Sequence, residues 1–466
     1  MEITISFNET TNEPLYYQLY QYIKKEIQTG KIAKDTRLPS IRTLASHLKI
    51  SKNTVEIAYQ QLIAEGYIQS KAKSGYYVLE METNFSSQIK QQPSNHLEQA
   101  FIEEESIYDF RQGQVDLTHF PFSIWRKLTN QCLSPEYRNN FLYGHQQGEP
   151  ELRKEIANYL YQSRGVLCTP HQIILGAGIQ QLLTLFCQIT GNKEPIAIEN
   201  PGYDGARMVF GNFGITIYPI ELEHDGINVE QLKKSKAKFV YLTPSHQFPC
   251  GMILPYSKRI ELLNWADSNS SYIIEDDYDG EFRYIGKPIP ALQGLDRNEK
   301  VIYLGTFSKS LLPAIRMSYM VLPTKLINTF KTNFPLYEQP VSKLHQKTMQ
   351  LFMENGHWER HIRKMRNIYT KKHSLLISSI KKIMKDRVQV IGAHSGLHIL
   401  LEVHNGMNEV ELIQAAKNKS VKVYPTSRFW MNAHKQTYPL IQIGFGGVSE
   451  ELIYDGIIRL NEAWFQ

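Results

Sequence analysis

The stretch Gly305-Thr306-Phe307-Ser308-Lys309-Ser310-Leu311-Leu312-Pro313-Ala314-Ile315-Arg316 holds the most informative lysine of the chain. It follows Val301-Ile302-Tyr303-Leu304, an apolar run that reads as a short buried strand, so Lys309 is expected in a loop delivered into a cleft. At its reference pKa of about 10.4 a lysine is a poor nucleophile. It becomes useful where desolvation or neighbouring cations favour the neutral amine. Thr306 and Ser308 supply hydroxyls nearby, and Arg316 supplies a planar cationic fork suited to a phosphate. An amine able to form a Schiff base beside phosphate ligands is what pyridoxal 5'-phosphate needs. A lone lysine in a Ser-rich turn is more often a surface residue, so the neighbouring strands decide its meaning.

Upstream, Ser271-Tyr272-Ile273-Ile274 runs into Glu275-Asp276-Asp277-Tyr278-Asp279, an apolar strand ending in carboxylates. A buried carboxylate beside a pyridine nitrogen holds the proton that makes the ring an electron sink. Asp276 is expected there, with Asp277 open as the alternative, and the remaining acids are expected to form a solvated turn. Gln172-Ile173-Ile174-Leu175 leads into Gly176-Ala177-Gly178-Ile179, where the free N–H groups of a helix start make an anion site. Tyr203, after Pro201-Gly202, is placed to stack on a ring. The segment from Thr243 to Gly251, with His246 and Gln247, is one more polar loop after an apolar strand, Phe239-Val240-Tyr241-Leu242. Loops converging from successive strand ends are where open α/β sheets bind ligands.

With these motifs in this order, residues from about 109 onward resemble the fold-type I, aspartate-aminotransferase-like domain. Tyr143-Gly144, the helix start at Leu152-Arg153, the Gly-Ala-Gly turn, Pro-Gly-Tyr, the Asp276 strand and Phe-Ser-Lys all take part. The resemblance implies that Lys309 forms the internal aldimine and that Asp276 pairs the ring nitrogen. It also implies that the amides of Ala177, Gly178 and Ile179 hold the phosphate with Thr306, Ser308 and Arg316, and that Tyr203 and Tyr278 complete the site. Aminotransferases usually carry Asn-Pro-x-Gly where this chain has Phe248-Pro249-Cys250-Gly251, so the asparagine that touches the cofactor's phenolic oxygen is missing. His246 or Gln247 is the expected substitute, and efficient transamination is placed in doubt. In the small domain, from about residue 330, Arg428 stands where the family grips a substrate carboxylate.

Residues 14–79 form a separate pattern. Leu15, Leu19, Ile23 and Ile27 share one helix face; Leu38-Pro39-Ser40 caps a second helix carrying Ile41, Leu44, Ala45 and Leu48; Ile50-Ser51-Lys52-Asn53 leads to a third, with Val55, Ala58, Tyr59, Leu62 and Ile63 facing the core. Two short helices joined by such a turn read as a helix-turn-helix. Two strand-like runs follow, Tyr67-Ile68-Gln69-Ser70 and Gly75-Tyr76-Tyr77-Val78, around a basic tip at Lys71-Ala72-Lys73-Ser74. The order resembles the winged helix of GntR regulators. By that resemblance Arg42 meets phosphate, Ser51, Lys52, Asn53 and Thr54 lie at the start of the recognition helix, and Ser74-Gly75 approaches the minor groove. Glu56 is acidic where the family is often basic.

The expected architecture is therefore α/β: a winged helix-turn-helix over 1–80, a polar linker over 81–107, and aminotransferase-like large and small domains over 108–466. The fusion resembles the MocR subfamily of GntR regulators, with GabR-like wording in Thr-Pro-Ser-His-Gln-Phe-Pro. It implies a regulator that binds operator DNA as a domain-swapped homodimer and senses a small amine or amino acid by forming an external aldimine. A working aminotransferase with a DNA-binding appendage, and a regulator sensing pyridoxal phosphate itself, are the rival readings. GabR-type sensors of 4-aminobutyrate carry an arginine where this chain has Gly205; Arg207 is near but displaced, and with Arg428 it completes the expected effector contacts. A net charge of +6 over 466 residues is too modest to signal nucleic acid by itself. The four scattered cysteines show neither paired metal spacing nor a disulfide framework, no metal is expected, and no run is long enough for a membrane span. A cytoplasmic protein is expected.

Overall fold

The computed structural model describes residues 3, 5, 7, 13–72, 74–80, 107–191, 194–284, 290–431 and 438–466. The chain divides into two compact units, residues 1–104 and 105–466. The expected linker, 81–107, lies outside the described residues except for Ile107.

The first unit has helices Leu15–Gln28, Ile41–Leu48 and Lys52–Ala64, then strands Ile68–Lys71 and Gly75–Val78. A short strand unseen in the sequence, Arg37–Leu38, pairs antiparallel with Gly75–Val78 and makes the wing three-stranded. Its core gathers Leu19, Ile23, Ile27, Leu44, Val55, Ala58, Tyr59 and Leu62. Leu15 and Ile63, expected in that core, are exposed. Each lies at the end of its helix, where the apolar stripe has run past the elements it packs on.

The second unit is built on an eight-stranded sheet. Its spatial order is Ile173–Gly176, Ser318–Val321, Val301–Thr306, Tyr272–Asp277, Phe239–Leu242, Ile196–Asn200, Ile217–Glu223 and Gly226–Ile227. Five neighbouring strands from Val301–Thr306 to Ile217–Glu223 are parallel, whereas Ser318–Val321 runs against both of its neighbours. Strands such as Ile173–Gly176, Phe239–Leu242 and Val301–Thr306 are buried along their whole length because both faces are covered. Ile173, Leu175 and Tyr303 enter one cluster, and Ile174, Ile302 and Leu304 enter the cluster on the other side. Helix Lys343–Glu354 packs in the same cluster as Ile173, Leu175 and Tyr303, and beyond it helices His357–Ile383 and Glu450–Phe465 accompany a four-stranded antiparallel sheet containing His398–Val403 and Leu440–Gly444. Among the described residues no helix is long and apolar enough to cross a membrane.

Candidate functional site

The carboxyl ends of the parallel strands share one edge of the sheet, and the antiparallel strand brings its amino end there too: Ser318 pairs with both Thr306 and Gly176. Sequence-distant residues therefore meet at that edge. A cavity of about 360 Å³ opens there, lined by Gly178, Tyr203, Asp276, Tyr278, Ser308, Lys309 and Arg316, and also by Gln112, Ile179, Gln180, Thr243, Phe248 and Thr306. That volume lies within the range of small-molecule sites, about 300–1,000 Å³.

One end is built for an anion. Helix Ile179–Thr190 starts at Gly178, whose φ of 125° belongs to glycine. A Cβ there would stand 2.2 Å from Arg316 Nη2, so glycine lets the guanidinium lie against the helix start. Arg316 is held by donating from Nη2 to the Ala177 carbonyl at 3.0 Å. The Ala177 N–H, expected to face the ligand, donates to Gln181 Oε1 at 3.0 Å instead, and Ala177 does not line the cavity. Ser308 N–H and Ser318 Oγ both point at Thr306 Oγ1, at 3.1 and 2.8 Å, leaving that hydroxyl free to donate.

At the other end stand an amine and a carboxylate. Burial pulls the Lys309 amine down to about 8, partly opposed by the carboxylate of Asp279. Asp276 is buried; its Oδ2 accepts from Tyr241 OH at 2.5 Å, while Oδ1 has no partner among the described residues. Burial pushes its carboxyl up to about 7, with Asp277 and Asp279 adding to the effect and Tyr241 opposing it. An orphaned buried acceptor on a cavity wall asks for a donor from the ligand.

The strand register separates Asp276 from Asp277, which points to the other face and is held by Arg164 Nε at 2.6 Å and Tyr303 OH at 2.7 Å. The remaining acids are not the solvated turn expected from the sequence. Glu275 is fully buried and accepts from the N–H groups of Leu292 and Gln293, and buried Asp279 meets His246. They are interior because the strand persists to Asp277 inside the sheet.

The two candidates for the missing asparagine do not line the cavity. Gln247 is committed to its own loop, donating to the carbonyls of Pro201 and Phe248 and accepting from Cys250 N–H. His246 lies behind Tyr278, with Nδ1 2.8 Å from the phenol oxygen. Arg207 and Arg428, the expected effector contacts, are not among the cavity-lining residues either. Arg207 donates to the carbonyls of Arg428 and Trp430, clamping that loop, while the Arg428 side chain is 62% exposed and pairs with Asp204 at 3.1 Å. Gln180 and Thr243 stand in segments marked as ligand loops but were not singled out as contacts, and Gln112 was missed because its segment carries no motif that marks a ligand.

In the first unit the two helix caps are in place: Ser40 Oγ accepts from Thr43 N–H, and Ser51 Oγ from Thr54 N–H at 3.0 Å. The Ser51 and Thr54 hydroxyls also bond to each other at 2.8 Å, which commits both to the helix start. Arg42, Lys52 and Asn53 are exposed on the two helices of the motif. At the wing, Ser74 Oγ bonds Tyr77 OH at 2.7 Å, and Arg37, unmarked in the sequence, packs beside Gly75. Lys73 lies outside the described residues.

A winged helix-turn-helix in one unit, and in the other a mixed α/β sheet with amine, carboxylate and anion cradle at its carboxyl edge, define a DNA-reading protein with an aminotransferase-fold domain. Comparison with known proteins agrees for both units. Residues 15–78 match the gntR family of bacterial regulatory proteins, and residues 105–438 match aminotransferase class I and II. The uncharacterized HTH-type transcriptional regulator YdeL of Bacillus subtilis is 45% identical over the full length of both chains. The probable rhizopine catabolism regulatory protein MocR of Rhizobium meliloti is 30% identical, covering 97% of this chain and 94% of its own. Among solved structures, the kynurenine aminotransferase of Pyrococcus horikoshii superposes with a TM-score of 0.70 at 26% identity, over 82% of this chain and 96% of its own. The chain belongs to the MocR subfamily of GntR-type HTH transcriptional regulators.

Proposed function

We propose that the second unit binds pyridoxal 5'-phosphate and uses it to sense a small amine or amino acid, and that this occupancy sets the DNA-binding state of the first unit. The observation that carries the reading is that one cavity is lined by Lys309, whose amine burial pulls down to about 8, by Asp276, whose Oδ1 has no partner among the described residues, and by the anion cradle of Gly178 and Arg316. In this reading Gly178, Ile179, Thr306, Ser308 and Arg316 hold the phosphate, Asp276 holds the proton on the pyridine nitrogen, and Tyr203 and Tyr278 flank the ring. When bound, the cofactor supplies an aldehyde carbon that condenses reversibly with primary amines, losing water, and a chromophore that reports the exchange.

Lys309 must be neutral to attack, and burial brings a useful fraction of neutral amine within reach of physiological pH. Phe248 offers a ring to the cavity where aminotransferases offer an amide, which supports a sensor more than an efficient catalyst. The run Phe141-Leu142-Tyr143 and Leu336 support a homodimer, since Tyr143 and Leu336 are each 91% exposed and apolar surface of that kind favours burial against a partner. A ligand shifts DNA binding only through different affinity for two arrangements of the protein. The test is an absorption titration of the cofactor-loaded protein with a panel of amino acids, together with borohydride reduction. Lys309→Ala should abolish the reducible link to the chain, and a lysine adduct persisting in that variant would refute the assignment.

A further inference from the structure

We infer that the buried pair Asp279 and His246 positions Tyr278 so that its hydroxyl proton points into the cavity. The inference rests on the proposed cofactor site and concerns residues behind its wall. Tyr278 lines the cavity, and its oxygen lies 2.8 Å from His246 Nδ1. The same nitrogen lies 2.9 Å from Asp279 Oδ2 and 3.2 Å from Oδ1. The side chains of His246 and Asp279 are 1% and 2% exposed.

A single ring nitrogen cannot donate to the carboxylate and accept from the phenol at once. Were Nδ1 bare, its lone pair would face a buried carboxylate, an arrangement with a large desolvation and repulsion cost. The proton therefore sits on Nδ1, directed at Asp279. The remaining nitrogen, Nε2, is buried with no hydrogen-bond partner among the described residues. An acceptor left there costs less than a donor carrying positive charge, so His246 is the neutral Nδ1–H tautomer. With its one proton directed at Asp279, Nδ1 has no lone pair to accept from Tyr278, so the phenol proton is left for the cavity. The other hydroxyl on this wall is engaged: Thr243 Oγ1 donates to Glu199 and accepts from Phe248 N–H. With Phe248 in place of an asparagine, Tyr278 is the donor that a phenolate oxygen of the bound cofactor would meet.

The ionisable groups around this cluster are Lys309, Asp276, Asp277, Glu199, Tyr284 and His398. Burial, with Lys309 nearby, holds His398 well below the ordinary histidine range and so neutral, and its Nε2 lies 3.1 Å from the Pro249 carbonyl. His246, Asp279 and His398 also bring possible metal-ligating atoms within 4.8 Å of one another. The 2.9 Å contact between His246 and Asp279 is hydrogen-bond spacing, shorter than the separation of two ligands about 2.0–2.1 Å from one ion at tetrahedral angles.

The test uses the full chain in two measurements. In protein labelled with ¹⁵N-histidine and free of cofactor, the His246 resonance, assigned by its loss in His246→Phe, should show a protonated Nδ1 and a bare Nε2. The opposite tautomer, or an imidazolium near neutral pH, overturns the inference. In loaded protein, His246→Phe leaves the Asp279 carboxylate as the acceptor behind Tyr278, so the phenol proton turns away from the cavity. The pH midpoint of the visible band should rise by about one to two pH units, as it should in Tyr278→Phe. Adding Asp279→Leu to His246→Phe removes that acceptor and should bring the midpoint back toward the wild-type value, a rescue that a merely structural role does not give. A band whose midpoint ignores His246→Phe, or moves further away in the double variant, overturns the inference alone. The absence of any band in the wild-type protein overturns the cofactor reading as well.

Discussion

Replacing Asp276 with asparagine should strengthen the cofactor-free protein above pH 7 and weaken its hold on the cofactor. Asp276 is 4% exposed, and burial lifts its carboxyl from an ordinary 3.8 to about 7. The folded chain thus binds this proton more tightly than the unfolded chain. Its stabilisation is complete below pH 4, declines as pH rises from about 4 to 7, and is gone above that. The interval corresponds to about 4 kcal/mol, an upper bound because water entering the cavity screens the charge. Asparagine is neutral throughout, and its carbonyl can keep the hydrogen bond from Tyr241. Thermal unfolding without cofactor should therefore favour Asp276→Asn at pH 8.5 and show little difference at pH 4.5. With pyridoxal phosphate the variant's advantage should shrink, since losing a hydrogen bond to a charged group costs about 1.5–3 kcal/mol, or roughly 10- to 100-fold in affinity by equilibrium dialysis. An asparagine variant that is less stable at pH 8.5 without cofactor, or that differs from wild type equally at both pH values, would refute the reasoning.

Arg42→Ala should weaken binding to specific and random DNA alike and lower the salt slope by about one, whereas Asn53→Ala should relax base preference; titrations by fluorescence anisotropy at several salt concentrations separate the two. 4-Aminobutyrate should be a poor effector in absorption titrations, with another amino acid or an amino-terminal peptide giving the saturable response. Gly205→Arg should not create a site for it: a Cβ there would stand 2.4 Å from the Tyr203 ring and 2.7 Å from Gln180 Nε2, so Tyr203 must move and cofactor affinity should fall by about tenfold.

The two-part architecture was legible in the amino-acid order because it is written in local periods. Three amphipathic helices and a hairpin announce the reader, and apolar runs ending in Leu175, Leu242, Ile274 and Leu304 announce a sheet covered on both faces. Lys309, Gly178 and Arg316 were legible for the same reason: each sits at a fixed offset from a strand or helix end. Strand register is another matter, because moving by one residue exchanges the two faces, and only the packed sheet turned Asp276 into the cavity and Asp277 toward Arg164. The destinations of Arg207 and Arg428 were also out of reach, since long side chains take whichever carbonyl or carboxylate the fold brings near. The meeting of His246 with Asp279 behind Tyr278 depends in the same way on two loops 33 residues apart, a distance that no local pattern spans.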